Sequence, residues 1–379
     1  MKTDVLIIGG GLAGTATAYF LAREGVDVLL VDRFDLNTQA SGANAGSLHI
    51  QIPHDAFLTE GDAWASEFAP TIPLMIESAK LWTTIGAEIE CDLDVRITGG
   101  LLVAHSNGQM DDIARKAKIE RRHGVNIELL GRNEVRALAP YISDSIVGGA
   151  FCPDEGNANP LKATPGFAAA AVRHGARIVC NREILGLTGT GGSFVARTND
   201  GDIRAHRIVN CAGADAGAIA GMLGIDVPVE GHPIQVSVTE PAEPLVPHLV
   251  YAAAEKLTLK QMKNGTFIIG GGWPATRRAT DGTLAVNLRS LRDNLRLALD
   301  VVPALADVHI VRSWPAIVNG TPDWKPIFGE VPGHAGFFMN VFPYMGFTAG
   351  PISALAMAEL MLGRRPGFDL ERFSVLRYG

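Results

Sequence analysis

The feature that most constrains the fold is a glycine-rich turn set between two short apolar runs at the start of the chain. The first apolar run covers residues 4–8, and a helix-forming segment and the second apolar run follow within residues 15–31. Gly9, Gly11 and Gly14 have the G-x-G-x-x-G spacing. A strand before this turn and a helix after it are the context in which the spacing predicts a βαβ unit that binds a dinucleotide.

Each glycine of the turn has its own expected purpose. Gly9 allows the tight turn, Gly11 lets a pyrophosphate approach the backbone, and Gly14 brings the helix close to the strand. The helix N-terminus supplies free N–H groups to the phosphates. Asp32 ends the second strand and is expected to accept hydrogen bonds from both ribose hydroxyls, which favours an unphosphorylated ribose over NADP. The expected binding residues of this unit are Gly9, Gly11, Leu12, Ala13, Gly14, Asp32 and Arg33.

A loop of small residues follows where an NAD dehydrogenase would continue with another strand–helix unit. Residues 39–49 contain no charged side chain and lead into an apolar stretch, so we favour a packed loop over the alternative of a flexible surface linker. Small residues suit backbone packed against a flat ring, with Ser41 and Asn44 free to bond it, and this favours FAD. The expected flavin residues of the loop are Ser41, Gly42, Asn44, Ala45, Gly46, Ser47 and Leu48.

Composition excludes several classes of protein. The chain has 379 residues, of which 47% are hydrophobic, and this is enough for one large core or two joined ones. A formal charge of -7 gives no basic surface for nucleic acid. No apolar run approaches the roughly 18 residues of a membrane-spanning helix. Because the first strand starts at once, we expect no signal peptide and a cytoplasmic protein. The four scattered cysteines predict neither a metal site nor an iron–sulfur cluster in this chain.

These segments, together with three later ones, resemble the D-amino-acid oxidase (DAO) superfamily of FAD-dependent amine oxidoreductases. The later segments are residues 208–214 (IVNCAGA), Trp314 with residues 321–323 (TPD), and residues 343–351 (PYMGFTAGP). The resemblance covers essentially the whole chain. Within the superfamily, residues 41–51 and 270–275 are most similar to the B subunits of opine oxidases. The hydrogen cyanide synthase FAD subunit and the β subunits of proline and hydroxyproline dehydrogenases are the next most similar groups.

The resemblance implies an α/β fold like that of glutathione reductase. A Rossmann-type FAD-binding domain is interleaved with an α+β substrate domain built on a large antiparallel sheet. The FAD-binding domain is expected to comprise residues 1–85, 146–228 and 312–379, and the substrate domain residues 86–145 and 229–311. The pattern further predicts one helix within residues 63–85 and a hairpin within residues 95–104.

Further cofactor contacts are implied by the resemblance. The backbone amide of Ile184 is expected to face adenine, although this residue could equally be an ordinary core residue. Ala212 and Gly213 lie where small residues are needed beneath the ADP ribose and diphosphate.

The C-terminal segment is expected to face the flavin ring. Its turn is predicted to contact the flavin through Met345, Gly346, Phe347 and Thr348. A helix is predicted over residues 352–362, with Gly350 and Pro351 at its start. Its N-terminus would place partial positive charge at the pyrimidine edge of the ring. The alternative is a helix that only docks against the core.

The substrate side is less defined by sequence. Tyr344, Trp273 and His49 are the candidates for the cavity wall, although each could instead be structural, and no convincing Ser/His/Asp set is present. Relatives that oxidise glycine have a carboxylate-binding arginine where Val318 aligns. Monomeric sarcosine oxidases have an oxygen-activating lysine where Ile268 aligns. Both differences argue against a free-standing oxidase of small amino acids.

The leading hypothesis is therefore the FAD-bearing catalytic subunit of a heteromeric amine or opine dehydrogenase. It would oxidise a primary or secondary amine of an amino-acid derivative (an opine, a proline-like or a glycine-like compound) to an imine by hydride transfer to flavin N5. The resemblance implies a second flavoprotein subunit, a small iron–sulfur subunit and an FMN at a subunit interface. The alternatives are a self-sufficient oxidase that produces hydrogen peroxide and a non-catalytic subunit that relays electrons.

Overall fold

The computed structural model describes residues 1–378 and shows a mixed α/β fold with two large sheets. The described chain contains these α-helices: α1 Leu12–Ala22, α2 Ala40–Ala43, α3 His54–Phe68, α4 Ile72–Glu88, α5 Asn107–Arg122, α6 Arg132–Leu138, α7 Pro160–Arg173, α8 Ala216–Gly221, α9 Leu288–Val301 and α10 Gly346–Met361. Its strands are β1 Lys2–Ile8, β2 Val28–Val31, β3 Ser47–Leu48, β4 Arg96–Ile97, β5 Gly100–Ala104, β6 Glu128–Gly131, β7 Gly148–Cys152, β8 Gly156–Asn157, β9 Arg177–Val179, β10 Ile184–Thr190, β11 Ser193–Thr198, β12 Gly201–Asn210, β13 Glu230–Pro241, β14 Leu249–Ala252, β15 Thr258–Gln261, β16 Thr266–Gly270, β17 Thr276–Arg277, β18 Leu284–Ala285, β19 Ile310–Gly320, β20 Ile327–Glu330 and β21 Phe337–Val341.

The first sheet contains the predicted nucleotide-binding unit. Its strands follow the order β10-β11-β12-β1-β2-β9, with β21 beside β12 and β20 beside β21. Strand β1 pairs in parallel with β12 and β2. Val5, Leu6 and Ile7 are fully buried, as expected of a parallel strand covered on both faces.

Helices α1 and α10 pack together against this sheet. A Cβ atom built on Gly14 would lie 1.9 Å from the carbonyl oxygen of Gly9, so only glycine permits this approach of α1 to the turn. A Cβ atom on Gly350 would lie 2.6 Å from Leu12 Cδ2, so α10 also depends on a missing side chain to reach α1. Both contacts bring helix N-termini to the same edge of the first sheet.

The second sheet has the order β19-β13-β16-β15-β14-β5-β7-β6. Its pairs are antiparallel except for β5 and β14, which run in parallel. The predicted hairpin within residues 95–104 is wrong, because β4 pairs with β8 while β5 pairs with β7 and β14. The chain turns at Gly99, whose φ of +93° favours glycine and whose N–H donates to the Glu155 carbonyl oxygen at 2.9 Å.

Two strands pair outside the domain to which the sequence assigned them. Strands β7 and β19 belong to the second sheet, whereas most residues of both were expected in the FAD-binding domain. Hydrogen bonding to β5 and β13 places them there. The division into two domains stays a prediction, and this pairing argues for moving its boundaries near residues 146 and 312.

The predicted single helix within residues 63–85 is two helices. Helix α3 ends at Phe68, a short 3₁₀ turn covers Ala69–Thr71, and α4 begins at Ile72. Pro70 and Pro73 lie at this junction, where their missing N–H groups break the helical ladder.

A small sheet of three strands joins the two halves of the molecule. Strand β8 pairs with β3, which ends the small-residue loop, and with β4, which leads into the second sheet. Gly156 lies so close to β4 that a Cβ atom on it would be 1.9 Å from the Arg96 carbonyl oxygen. None of the helices in residues 1–378 combines the length and the apolar character needed to cross a membrane.

Candidate cofactor and substrate site

A continuous channel runs from the glycine-rich turn toward the second sheet. Its first part, the nucleotide cavity, has a volume of about 530 Å³ and is lined by the turn and by the end of β2. Its second part, the central cavity, has a volume of about 200 Å³ and is lined by the small-residue loop and the start of α10. Gly11, Ser41 and Gly213 line both parts. This shape fits an extended dinucleotide.

Most of the predicted cofactor residues line this channel. The nucleotide cavity is lined by Gly9, Gly11, Asp32, Arg33, Ser41, Ile184, Ala212 and Gly213. The central cavity is lined by Gly11, Leu12, Ala13, Ser41, Asn44, Ala45, Gly46, Ser47, Gly213, Met345, Gly346, Phe347 and Thr348. Segments that are far apart in sequence thus meet along one path, and their individual contacts to a bound flavin remain predictions.

Three predicted residues do not line the channel but pack behind the residues that form its wall. Gly14 provides the close packing of α1 described above. A Cβ atom on Gly42 would lie 1.9 Å from the Asn37 carbonyl oxygen, so this glycine packs against backbone. Leu48 is buried in the hydrophobic core. We therefore expect these residues to shape the channel without bordering it.

The carboxylate of Asp32 is held by backbone N–H groups at the end of β2. Oδ2 accepts from Gly10 N at 2.6 Å, and Oδ1 accepts from Phe34 N at 2.7 Å. Each carboxylate oxygen has a second lone pair, so both can still accept from a ribose hydroxyl. Beside it, Arg33 pairs with Asp215 at 2.6 Å along the wall of the nucleotide cavity.

The side chains of Ser41 and Asn44 are engaged within the protein. Ser41 Oγ accepts from Leu12 N at 2.9 Å and so binds the N-terminus of α1. Asn44 donates to the Ser41 carbonyl oxygen at 2.6 Å and accepts from Gly46 N at 2.7 Å. The amide of Asn44 is therefore taken up within the protein, whereas the hydroxyl hydrogen of Ser41 can still be donated, and its contact to a bound ring stays a prediction. Short polar side chains satisfy nearby backbone groups first.

Asn340 provides the test of whether a cofactor fits the central cavity. Its side chain is 2% exposed and lines the cavity. Within residues 1–378 neither its amide nitrogen nor its amide oxygen has a hydrogen-bond partner. Buried amides are normally paired, so both amide groups of Asn340 are open to polar groups of a bound molecule or of water. The ribityl hydroxyls and phosphates of FAD are groups of this kind, and the site therefore fits FAD.

Helix α10 begins earlier than predicted. It starts at Gly346 and continues through Pro351, whereas the sequence placed the start at Gly350 and Pro351. The glycines suggested a turn, but Gly350 is small because α10 packs on Leu12. The first N–H groups of a helix have no partner within it, so the positive end of α10 lies at residues 346–348, on the wall of the central cavity.

Thr348 ties α10 to the small-residue loop. Its hydroxyl accepts from His49 N at 2.8 Å, and its carbonyl oxygen accepts from Trp82 Nε1 at 3.0 Å. The side chain is fully buried. The helix N-terminus and the loop therefore keep a fixed relative position at the cavity.

A third cavity, the inner cavity, adjoins the central cavity and has a volume of about 270 Å³. His49, Thr258, Gly271 and Tyr344 line both. The Tyr344 ring stacks on His49 with centroids 6.3 Å apart, and its backbone has a φ of +56°. A bulky residue with positive φ is strained and is often found at functional sites.

The third candidate for the cavity wall lies elsewhere. Trp273 packs against the hydrophobic cluster of the second sheet, and its Nε1 donates to the Lys256 carbonyl oxygen. Trp273 is therefore better explained by packing. The other two candidates, Tyr344 and His49, line the cavities.

A chain of buried polar groups starts at His49. Its Nδ1 lies 2.7 Å from the Tyr251 hydroxyl, which donates to Glu155 Oε2 at 3.1 Å. Glu155 is 0% exposed, and burial raises the pKa of its carboxyl group. Burial and the nearby charge of Lys260 lower the pKa of His49 to about 3, so its ring is neutral. Glu155 lies between two short strands and belongs to no motif, so the sequence gives no sign of its burial.

Lys260 is a second buried group that the sequence did not reveal. It is 0% exposed, and its Nζ donates to Ser47 Oγ at 2.6 Å. Burial lowers the pKa of this amine to about 7. Lys260 pairs directly with Ile268 across β15 and β16, so both side chains share one sheet face. Although Ile268 itself carries no charge, the same face of the sheet therefore holds an amine at Lys260.

Metal ligands do not cluster in the described part of the chain. Among residues 1–378, no three His, Cys, Asp or Glu side chains are close enough to hold a metal ion. The cysteines Cys91, Cys152, Cys180 and Cys211 are free. Burial raises the pKa of Cys211 to about 12, so its thiol is a packing group and not a nucleophile.

Comparisons with known proteins agree with this geometry. Residues 4–360 match the model of the DAO family, described as FAD dependent oxidoreductase. The beta subunit of sarcosine oxidase from Rhizobium meliloti (strain 1021) is 28% identical over 98% of this chain and 88% of that protein. The B subunit of opine oxidase from Agrobacterium tumefaciens (strain Ach5) is 27% identical over 100% of this chain and 98% of that protein.

Solved structures show the same fold. Glycine oxidase from Geobacillus kaustophilus superposes with a TM-score of 0.86 at 23% identity, covering 99% of this chain and 98% of that one. L-proline dehydrogenase from P. horikoshii superposes with a TM-score of 0.88 at 23% identity, covering 100% and 98%. The Rossmann-type fold expected from the sequence is confirmed. With the family model matching nearly the whole chain and the channel fitting FAD, this protein belongs to the DAO family of FAD-dependent oxidoreductases.

Proposed function

We propose that this chain is the FAD-bearing catalytic subunit of a heteromeric dehydrogenase for amines of amino-acid derivatives. The observation that carries the proposal is the inner cavity, which meets the central cavity at His49 and Tyr344. A small amine held there would lie next to the residues expected to hold the flavin ring. The substrate class we propose is a primary or secondary amine of an opine, a proline-like or a glycine-like compound.

Held by the residues of the channel, FAD would supply a hydride acceptor, so that the carbon bearing the amine could be oxidised to an imine. The protein provides the conditions for this step. Residues of the channel hold and orient the two reactants, and apolar walls keep water away from them. The positive end of α10 at Gly346 favours negative charge on the pyrimidine edge of a bound ring.

The wall of the central cavity also affects which substrates can bind. Val318 lines this cavity and carries no charge, so a simple amino-acid carboxylate finds no arginine there. A bidentate arginine would contribute about 2–3 kcal/mol to carboxylate binding. The absence of that group at Val318 favours an amine whose carboxylate is held elsewhere or which has further groups to bind, such as an opine.

The partner subunits are part of the proposal. Relatives named as subunits of sarcosine oxidase and opine oxidase support a multi-subunit complex. We propose that electrons pass to a second flavoprotein subunit and a small iron–sulfur subunit, with an FMN at a subunit interface. The free cysteines fit a reducing compartment, so we place the complex in the cytoplasm, in contact with the membrane only through its electron-transfer partners.

A self-sufficient oxidase is the second candidate, and Lys260 favours it. A protonated amine next to the flavin loop can stabilise the negative charge that develops when oxygen is reduced. The third candidate is a subunit that relays electrons while its partner binds the substrate.

One experiment separates these candidates. The isolated FAD-loaded chain is mixed anaerobically with octopine, proline, sarcosine or glycine while flavin absorbance is followed. Bleaching by at least one amine is expected, and no bleaching by any of them would support the electron relay. Air is then admitted to the reduced protein. Reoxidation much slower than reduction is expected for a dehydrogenase, and reoxidation as fast as reduction would support the oxidase.

A further inference from the structure

Three buried groups link the cavities to the protein interior. His49 lines both the central and the inner cavity, Tyr251 lines the inner cavity, and Glu155 lies behind them. Their hydrogen bonds run in sequence, from His49 Nδ1 to the Tyr251 hydroxyl at 2.7 Å and onward to Glu155 Oε2 at 3.1 Å. The chain therefore has one end in the substrate region and the other on a carboxyl group that solvent does not reach.

The hydrogen bonds of Glu155 define its protonation at rest. Oε1 accepts from Ile50 N at 2.6 Å and from Gln51 N at 2.8 Å. Oε2 accepts from Gln51 Nε2 at 2.9 Å and from the Tyr251 hydroxyl. A carboxylate has about four acceptor positions, and here four donors fill them. These four contacts match the acceptor pattern of an ionised carboxylate, and burial, which raises the pKa of the carboxyl group, favours its uptake of a proton.

This arrangement fixes the neighbouring protons. Because Tyr251 has a single hydroxyl proton and donates it to Glu155, its oxygen must accept from His49. His49 Nδ1 then carries the ring proton, and Nε2 is left as a free acceptor on a ring that borders both cavities. In this orientation His49 Nε2 is available to accept a proton.

We infer that His49, Tyr251 and Glu155 form a relay that removes the proton of the substrate ammonium group before the amine is oxidised. This inference rests on the proposed function. The ammonium N–H bond breaks and a His49 Nε2–H bond forms. The Nδ1 proton passes to the Tyr251 oxygen, and the former hydroxyl proton passes to Glu155. One proton leaves the substrate and one reaches the carboxylate, so charge balances without a lasting imidazolium.

The surrounding charges favour passage of the proton through the His49 ring and disfavour a ring that keeps the proton. The titratable and charged groups packed around the relay are Lys116, Glu120, Lys260, Tyr344, Cys152, His54 and Asp55. Lys116 and Glu120 form a buried ion pair at 2.5 Å, and Asp55 pairs with Lys256 at 3.2 Å. Of the groups named above, Lys260 is then the cation whose charge disfavours a positive charge on the His49 ring. A proton arriving at Nε2 is therefore driven onward.

The local backbone is built around the buried carboxylate. A Cβ atom on Gly100 would lie 1.8 Å from Glu155 Oε2, so the strand beside it has room for the carboxylate only because this residue is glycine. A carboxylate that served only to hold residues 50–51 would account for three of its four donors. The bond to the Tyr251 hydroxyl, and through it to His49, is what a purely structural role leaves unexplained.

The first test is the pH dependence of flavin reduction by the accepted amine among octopine, proline and sarcosine. Tyr251→Phe removes the bridging hydroxyl and keeps the ring. We expect reduction about 10²-fold slower than in the wild type at pH 7. The two rates should converge near pH 10, about the pKa of a free aliphatic amine, because the substrate then arrives without the extra proton. A merely structural defect would slow reduction at every pH.

The chain offers a matched control. Tyr141 forms a similar pair with His248, with the hydroxyl 2.7 Å from Nδ1, away from the cavities described above. Tyr141→Phe should leave the rate and its pH dependence as in the wild type. A Tyr251→Phe variant that follows the wild-type profile at all pH values would overturn the relay while leaving the proposed function intact.

The second test needs no substrate. In the FAD-loaded protein labelled with ¹⁵N-histidine, NMR should show His49 as the neutral tautomer protonated at Nδ1, with the signal assigned through His49→Gln. In Tyr251→Phe this signal should shift. Protonation at Nε2, or a charged ring at neutral pH, would overturn the relay. If no amine reduces the flavin but His49 shows the expected tautomer, the proposed function fails and the hydrogen-bond order of the relay stands.

Discussion

Lys260 Nζ donates a hydrogen bond of 2.6 Å to Ser47 Oγ, although the two residues are 213 positions apart in the sequence. The bond joins the second sheet to the strand that ends the small-residue loop. It places an amine with a pKa of about 7 beside the wall of the central cavity. The charge of this region therefore changes near neutral pH.

Oxygen reactivity should depend on Lys260. Because the amine is protonated below about pH 7, air reoxidation of the reduced chain should slow as the pH rises through this value. Lys260→Met should slow reoxidation at pH 6 by about 10- to 100-fold, since it removes the cation that stabilises reduced oxygen. Stopped-flow absorbance after mixing with aerated buffer measures the rate.

The same substitution at Lys263 is the control, because this lysine is exposed and lies three residues further along the chain. Equal rates for Lys260→Met and the wild type would exclude an electrostatic role for Lys260. Introducing a lysine at Ile268 is not expected to speed reoxidation. It would place a second buried amine opposite Lys260, and like charges oppose each other there.

Asp32→Ala should weaken retention of FAD through the adenosine ribose. Loss of hydrogen bonds to a charged acceptor corresponds to an increase in the FAD Kd of about 10- to 100-fold. Fluorescence titration of the apoprotein with FAD measures this. Asp32→Asn is the control, because an amide oxygen can still accept from Gly10 or Phe34. Unchanged flavin affinity in the alanine variant would show that Asp32 does not bind the cofactor.

Tyr344→Phe should change the KM or kcat of every accepted amine, because it removes a hydroxyl from a side chain that borders the central and inner cavities. Trp273→Ala serves as the contrast. This residue packs against the second sheet, so its loss should lower the free energy of unfolding by about 2 kcal/mol and leave KM nearly unchanged. Steady-state kinetics and urea denaturation distinguish the two effects. Identical kinetics for Tyr344→Phe and the wild type would place the substrate elsewhere.

Val318→Arg should improve the use of small amino acids. Val318 lines the central cavity, and a guanidinium group there could bind a carboxylate through two hydrogen bonds. We expect the KM for glycine to fall by about tenfold or more. Val318→Met, which adds length without charge, should not have this effect. If both variants respond alike, the cavity at Val318 does not receive the carboxylate.

Local patterns predicted the nucleotide-binding unit well, because its strand, turn and helix are adjacent in the chain. Gly9, Gly11 and Gly14 lie within six residues, and their spacing already contains the geometry of the turn. The start of α10 was misplaced, since Gly350 owes its size to contact with Leu12 in another part of the sequence. From the sequence alone, a glycine that is needed for close packing cannot be distinguished from a glycine that is needed for a turn.

The buried ionisable groups could not be predicted for a related reason. Lys260 and Glu155 lie in segments that contain no motif, and a lysine or glutamate is normally exposed. Their partners, Ser47 for the first and Tyr251 for the second, are 213 and 96 residues away. Burial of a charged residue is decided by the assembled sheets. The parallel pairing of β5 with β14, which replaced the expected hairpin, has the same non-local origin.

The three-stranded sheet formed by β3, β8 and β4 has a consequence for turnover. Because β8 is hydrogen-bonded on one side to the end of the flavin loop and on the other to the approach of the second sheet, the two large sheets cannot swing apart without breaking it. Substrate and product must then pass through a local opening. The pair of Asp55 and Lys256 lines the inner cavity at 3.2 Å and is partly exposed, so here the cavity wall is formed by side chains that can rearrange while the sheets stay in place. Exchange of ligand would then depend on local rearrangement of side chains and not on a motion of whole domains.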